Sequence, residues 1–198
     1  MVSLYINDPA DNDIRPTKEI DLTFRIMTLT ELETLRLKLI AKGFTQSVED
    51  DVICRFRYED LKVDVMPTRE VGWAPSNRWF EDGFDKAIDY DLGELSIRIL
   101  PLPYFLATKI EAFYNRGMDD LYLSHDFEDI VYLLNYTSTF PDQILSGDPE
   151  VMKYLFDHFK EMTYNPEIMN AMPGHLYFEE TEERIKITLE RINQLINL

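Results

Sequence analysis

The alternation of apolar and polar positions predicts β-strands in the first half of the chain. Residues 18–25 alternate with period two, which is typical of a strand with one buried face. Residues 52–58 and 61–66 are rich in β-forming side chains and are separated only by Glu59-Asp60, so they predict a β-hairpin. A further strand is expected at residues 94–100.

A helix is predicted between the first strand and the hairpin, at about residues 29–42. Its apolar positions, which include Leu32, Leu35 and Leu39, form one stripe at helical spacing. Thr28 or Thr30 can cap its start, and Gly43 is a natural stop.

The second half of the chain has helical spacing throughout. The predicted helices cover residues 104–116, 125–136, 148–162 and 179–197. The segment 67–94 is mixed, and its aromatic residues Trp73, Trp79 and Phe80 are expected to pack a loop or a short helix. The predicted fold class is therefore α+β, with a mixed α/β core over residues 1–100 and a helical region over residues 101–198.

Composition and charge narrow the class of protein. The chain has 198 residues, 45% of them hydrophobic, which is enough for a sizeable core. It has no secretory-type start, no apolar run of the roughly 20 residues that a membrane span needs, and one cysteine, Cys54, so we expect a cytoplasmic protein without disulfides. A net charge of −17 argues against indiscriminate binding to nucleic acid.

The charge is unevenly distributed. Residues 1–116 hold 15 of the 20 basic residues against 21 acidic ones, whereas residues 117–198 hold 5 against 16. If an anionic substrate binds, the first half is the better candidate, although the charge alone favours an ordinary acidic surface. A large RNA acceptor is less favourable on this acidic surface unless a local basic patch assembles, for which the candidates are Arg15, Lys18, Arg55, Arg57 and Arg69.

Three carboxylates on two predicted strands are the first candidate site. Glu19 and Asp21 lie two residues apart, so their side chains point to one face. Asp64 stands between Val63 and Val65, where a carboxylate is costly unless something satisfies it. If the three carboxylates converge, their repulsion favours a divalent cation such as Mg²⁺. The alternative is that they belong to a solvated strand face.

A second candidate site lies in the helical half. Lys109 and Arg116 are seven residues apart and share a helix face, where two cations could hold phosphate oxygens. Asp126 and Asp129 also share a face and could pair with them. The alternative is a plain interhelical salt-bridge cluster.

The order of these motifs resembles that of the AbiEii-type nucleotidyltransferases. Residues 15–22, Arg-Pro-Thr-Lys-Glu-Ile-Asp-Leu, resemble the segment R-x-T-x-D-[IV]-D of that family. Residues 63–66 resemble the strand that bears the superfamily's third carboxylate. Residues 107–116, followed by 125–130, are similar to the block K-x-x-A-x-x-x-R … R-D-x-x-D-[IL]. The resemblance covers about residues 1–135.

The resemblance implies a nucleotidyltransferase fold with a flanking helical region, and a catalytic site that binds Mg²⁺ through Glu19, Asp21 and Asp64. The reaction implied is transfer of a nucleoside monophosphate from an NTP to an acceptor, for which an RNA, a protein and a small molecule are all open. An antitoxin-like protein is an implied partner, as in a toxin–antitoxin or phage-defence pair.

In the helical half, the resemblance implies that Lys109 contacts the nucleotide phosphates with help from Arg116. It also implies that Asp126 is an acidic site residue and that Asp129 supports the cluster.

Two departures from the family pattern leave a second function open. No glycine precedes Gly43, although the superfamily places a glycine turn before its first carboxylates, and residues 1–6 resemble the helix that follows that turn. Glu19 stands where Asp is usual. Activity is therefore expected only if the turn is supplied or dispensable. The alternative is a catalytically degenerate member that acts through protein–protein contacts, and the blandest reading is an acidic α+β domain with surface carboxylates.

Overall fold

The computed structural model describes residues 2–8, 17–47, 50, 53–176 and 181–197. They form two compact units. The first contains the described residues between 17 and 100, and the second contains residues 2–8 together with those from 101 onward.

A mixed sheet forms the centre of the first unit. Its strands are β1 (Glu19–Phe24), β2 (Arg55–Tyr58) and β3 (Leu61–Pro67), in the order β1-β3-β2. β3 pairs in parallel with β1 and antiparallel with β2, so the predicted hairpin is confirmed. β2 begins at Arg55, because Ile53 and Cys54 lie in a turn that leads into the strand, and residue 52, the predicted start, lies outside the described residues.

One helix, α1 (Leu29–Ala41), crosses over between the parallel strands β1 and β3. Thr28 caps it through a capping box, in which the Thr28 side chain accepts from the Glu31 N–H at 3.2 Å and Glu31 accepts from the Thr28 N–H. Gly43 follows the helix with φ +94°, a conformation that glycine adopts without strain. The cap and the stop predicted from the sequence are confirmed.

The sheet has one apolar face and one polar face. Alternate residues of the strands pack with α1 into a core that contains Leu39, Phe56, Val63 and Val65. The intervening positions, which carry the charged side chains, therefore lie on the opposite face.

The rest of the first unit contains a short helix, α2 (Phe80–Asp85), and a second hairpin of β4 (Ile88–Asp91) and β5 (Ser96–Ile99). The strand predicted at 94–100 is confirmed as β5, and Phe80 begins a short helix as expected. β4 was not predicted, because Asp89 and Asp91 give it little apolar character and it gains its backbone partners only by pairing with β5.

The second unit is helical. Its α-helices are α3 (Leu102–Ala112), α4 (His125–Tyr136), α5 (Phe140–Leu145), α6 (Pro149–Tyr164), α7 (Pro166–Ala171) and α8 (Thr181–Ile196). The four predicted helices are confirmed as α3, α4, α6 and α8, although residues 177–180 lie outside the described residues. No helix in the described part of the chain is both long enough and apolar enough to span a membrane.

Two expectations for this unit are corrected. The helix predicted at 104–116 ends as α-helix at Ala112 and continues as a π-helical turn, Phe113–Gly117. The start of the chain is a single 3₁₀ turn, Val2–Leu4, and not the longer helix suggested by the resemblance. After that turn the backbone N–H groups of Asn7 and Asp8 donate to the Tyr136 carbonyl, so the helix does not continue.

Candidate functional site

The three predicted carboxylates lie on the polar face of the main sheet. In the parallel register of β1 and β3, Asp21 is directly opposite Asp64 and Glu19 is opposite Lys62. The antiparallel register of β2 and β3 places Arg55 opposite Asp64. This face therefore brings the carboxylates together with basic side chains of the same sheet.

Asp64 is held by a two-pronged ion pair with Arg55. The Arg55 Nε atom donates to Oδ1 at 2.8 Å, and the second guanidinium nitrogen donates to Oδ2 at 2.8 Å. Both side chains are mostly buried, with 13% of Asp64 and 14% of Arg55 exposed. The hydrogen bonds that Arg55 donates to Asp64 raise the pKa of the Arg55 guanidinium above its usual range, and partial burial opposes this shift. The pair satisfies the mid-strand carboxylate that the sequence marks as costly.

Glu19 also has basic neighbours on this face. Lys62 Nζ lies 3.0 Å from Glu19 Oε1, and an Arg55 guanidinium nitrogen lies 3.7 Å from the same atom. As the side chains stand, no group of three potential ligands among the described residues is arranged to hold a metal ion.

The only cysteine lies next to this face. Cys54 is buried, and its carbonyl accepts from the Val65 N–H at 2.9 Å. Burial, assisted by the negative charge of Asp64, raises the pKa of the thiol to about 11. Cys54 is therefore a protonated, packed thiol rather than a nucleophile.

The basic patch considered for an RNA acceptor is compensated within the described residues. Each described member contacts a carboxylate, in the pairs Lys18–Asp60, Arg55–Asp64, Arg57–Asp50 and Arg69–Glu81. Arg15 lies outside the described residues. Because the positive charges are offset, the patch offers a polyanion less attraction than its residue types suggest.

The second candidate site is a cluster at the contact of α3 and α4. Lys109 Nζ lies 2.8 Å from Asp129 Oδ2 and 3.7 Å from Asp126 Oδ1. These three side chains are largely shielded, with 18% of Lys109, 13% of Asp129 and 8% of Asp126 exposed. Ser124 begins α4 by accepting from the Phe127 N–H, which fixes the first turn of the helix that carries Asp126. The pairing that the spacing predicts is present.

Arg116 joins this cluster from the π-helical turn. Its Nε donates to Asp126 Oδ2 at 2.8 Å and its second nitrogen donates to Oδ1 at 3.2 Å, while 73% of the Arg116 side chain is exposed. A π turn is a rare distortion that is frequent at functional sites. Asp126 is thus buried beneath one shielded cation and one solvent-facing cation.

The family assignment follows from comparison with known proteins. A family model described as nucleotidyl transferase AbiEii toxin, type IV toxin–antitoxin system, matches residues 10–196. The chain belongs to this family. No curated protein and no solved structure matches the chain significantly. The AbiEii resemblance carried by the motifs up to residue 135 is confirmed, and the match extends it through the C-terminal helices.

Reasoning from sequence named Arg55 only as a member of a possible basic patch and did not predict that it pairs with Asp64. The signal for it was present in the hairpin, because a two-residue connection at Glu59-Asp60 fixes which residues are opposite across the ladder. Counting back from the closing pair Tyr58 and Leu61 places Arg55 opposite Asp64.

Proposed function

We propose that this AbiEii family member is a Mg²⁺-dependent nucleotidyltransferase that moves a nucleoside monophosphate from an NTP to an acceptor. Family membership supports the reaction class and a toxin–antitoxin role. The observation that carries the proposal for this chain is the register of Asp21 opposite Asp64, with Glu19 on the same sheet face. Two carboxylates fixed opposite each other repel unless a cation lies between them.

The donor set suits magnesium in its chemistry. Glu19, Asp21 and Asp64 offer the hard oxygen ligands that Mg²⁺ prefers, and the Arg55 guanidinium stands in as the cation beside Asp64. A bound divalent ion would activate the attacking oxygen and stabilise the leaving pyrophosphate. Asp64 has a second available role, as the general base that accepts the proton of the acceptor hydroxyl.

For the second unit by itself, we propose that Lys109 and Arg116 bind nucleotide phosphates. Lys109 would offset negative charge on the phosphates, and Arg116 would add a guanidinium suited to phosphate oxygens. Asp126 and Asp129 hold these cations in place by the ion pairs described above. Because Arg116 is mostly exposed, it can exchange its partner at little cost in packing.

The proposed partners follow from the reaction and the family. The substrate is an NTP, the acceptor is an RNA or a protein, and an antitoxin-like protein controls the activity. The net charge of −17 and the compensated basic patch favour a protein or a small RNA element over a long polyanion.

Isothermal titration calorimetry on the Asp21→Asn variant tests this proposal. The substitution keeps the shape of the side chain and removes one charge, so Mg²⁺-dependent NTP binding should be lost while the thermal unfolding midpoint is retained. Asp89→Asn is the matched control, since Asp89 is an exposed strand carboxylate of the same unit that lies in the β4–β5 hairpin. NTP binding by Asp21→Asn equal to that of the wild type would refute the assignment.

A second candidate function is a catalytically degenerate member that acts through protein contacts. The observation that favours it is the Arg55–Asp64 pair, which satisfies Asp64 without any metal. The same calorimetry separates the two candidates, because a degenerate member would bind an antitoxin-like protein but no NTP with or without Mg²⁺.

A further inference from the structure

Asp64 needs a compensating positive charge in the folded chain. It lies in the middle of β3 between two buried valines, with only 13% of its side chain exposed and with Asp21 directly across the ladder. Like charges directly opposite in a sheet destabilise it, and a shielded carboxylate without a partner is costly. Some cation must therefore be provided at this point of the polar face.

Arg55 provides that cation from the neighbouring strand. Its register opposite Asp64 leaves the guanidinium alongside the carboxylate, and both Asp64 oxygens accept hydrogen bonds at 2.8 Å. The same guanidinium reaches toward Glu19 at 3.7 Å. One guanidinium thus contacts two of the three carboxylates to which the proposed function assigns metal binding, and its single charge offsets that of Asp64.

A divalent ion and this guanidinium require the same oxygens. A metal bound to Asp64 would have to replace at least one of the two hydrogen bonds, and two cations in contact with one carboxylate repel each other. We propose that Arg55 is a built-in competitor that disfavours metal binding to Asp64 until nucleotide arrives. This inference rests on the proposed function, because it presupposes that Asp64 is a metal ligand.

A metal that binds Asp64 leaves the displaced Arg55 guanidinium without its carboxylate. Arg55 keeps its charge under all accessible conditions, so once it leaves Asp64 it remains a cation beside a metal on the same face. A guanidinium beside a metal ion is unfavourable when only the metal is bound. It becomes favourable when an anionic phosphate accepts the two parallel hydrogen bonds of the guanidinium. Metal and NTP should therefore bind cooperatively, and the coupling should depend on Arg55.

Mn²⁺ titration by calorimetry, with and without NTP, measures both effects. Arg55→Gln should bind Mn²⁺ alone about tenfold more tightly than the wild type, because the metal no longer has to displace two charge-assisted hydrogen bonds. The same variant should lose most of the gain in Mn²⁺ affinity that NTP produces in the wild type. Arg55→Lys keeps the charge but cannot donate two parallel hydrogen bonds. Its Mn²⁺ affinity, and the gain in that affinity with NTP, should lie between those of the wild type and Arg55→Gln.

Arg57→Gln is the matched control. Arg57 lies two residues along β2 on the same face, and its ion pair with Asp50 involves none of the proposed ligands. We expect the Mn²⁺ affinity of Arg57→Gln and its response to NTP to match those of the wild type.

Thermal unfolding adds a readout that does not involve nucleotide. Without metal, Arg55→Gln should unfold at a lower temperature than the wild type, because it leaves Asp64 uncompensated. Mn²⁺ should then raise the unfolding midpoint of Arg55→Gln more than that of the wild type, since a ligand stabilises in proportion to its affinity.

The outcomes separate this inference from the proposed function. Equal or weaker Mn²⁺ binding by Arg55→Gln, in a wild type that binds Mn²⁺, overturns the role of Arg55 and leaves the nucleotidyltransferase assignment standing. Absence of Mn²⁺ and NTP binding from every variant overturns both. If Arg55→Gln does not fold, Arg55→Lys provides the test. An Mn²⁺ affinity of Arg55→Lys identical to that of the wild type would contradict competition by the paired hydrogen bonds of Arg55.

Discussion

The contact between Gly117 and Ser124 offers a demanding test of the second site. Gly117 closes the π-helical turn that carries Arg116, and Ser124 caps the helix that carries Asp126. A Cβ atom added at Gly117 would overlap the Ser124 hydroxyl oxygen and lie 2.8 Å from Cδ2 of Phe113. The Phe113 ring cannot retreat easily, because it is fully buried and stacks on Phe127.

Gly117→Ala should therefore destabilise the helical unit. Overpacking a filled site costs about 1–3 kcal/mol, and loss of a side-chain cap costs about 1 kcal/mol more. Alanine regains roughly 1 kcal/mol over glycine through its helix propensity. The expected net destabilisation is about 1–3 kcal/mol, which lowers the unfolding midpoint by roughly 2–4 °C per kcal/mol for a chain of this size.

A double-mutant cycle with Ser124→Ala identifies the cause. Ser124→Ala removes the hydroxyl that the new Cβ would strike, so the double variant should be less destabilised than the sum of the single ones. Far-ultraviolet circular dichroism follows the helical unit, while the fluorescence of Trp73 and Trp79 follows the first unit, which contains both tryptophans. Strict additivity, or Gly117→Ala as stable as the wild type, would refute the steric argument.

Two substitutions and one labelling experiment test further features of the fold. Thr28→Ala should lower the stability of the first unit by about 1 kcal/mol by removing the bond to the Glu31 N–H, whereas Thr28→Ser should retain it, as urea titration followed by fluorescence can measure. Native Cys54, with its pKa raised to about 11, should alkylate slowly at pH 8 and faster as the pH rises toward 11; rapid labelling of the folded chain at pH 8 would contradict this. Thr188→Val should cost about 1–3 kcal/mol, because the buried Asn135 amide loses its Thr188 partner; an Asn135→Leu/Thr188→Val double variant that is no more stable than Thr188→Val would count against this.

Elements with a local signature could be predicted closely from the sequence. The bounds 125–136 predicted for α4 are those observed, because Ser124 supplies the cap and the apolar residues follow the helical period. The alternation in β1 likewise placed Glu19 and Asp21 on one face, opposite the residues that pack on α1. In both cases one short stretch of chain contains all the information.

Features that depend on distant partners could not be predicted in this way. The order β1-β3-β2 places the first strand against the third, and no local pattern specifies that pairing. The π-helical turn arises where Gly117 meets Ser124 across a loop, a close approach that helical periodicity does not encode. The short helices α5 and α7 each have six residues, too few for a clear period.

The pairing of Asp64 bears most directly on function. Its position in a strand could be predicted from the local sequence, but its partner depends on a neighbouring strand. The sequence left two alternatives, a solvated carboxylate and a metal ligand, yet the structure pairs Asp64 with Arg55. A mostly buried ion pair is weak evidence for stability, because apolar residues of similar size often serve a fold as well or better. Stability alone therefore does not explain a charged pair at this position. A guanidinium that exchanges its carboxylate for a phosphate when metal and NTP bind together would explain why the pair carries charge, and the Mn²⁺ affinity of Arg55→Gln distinguishes the two accounts.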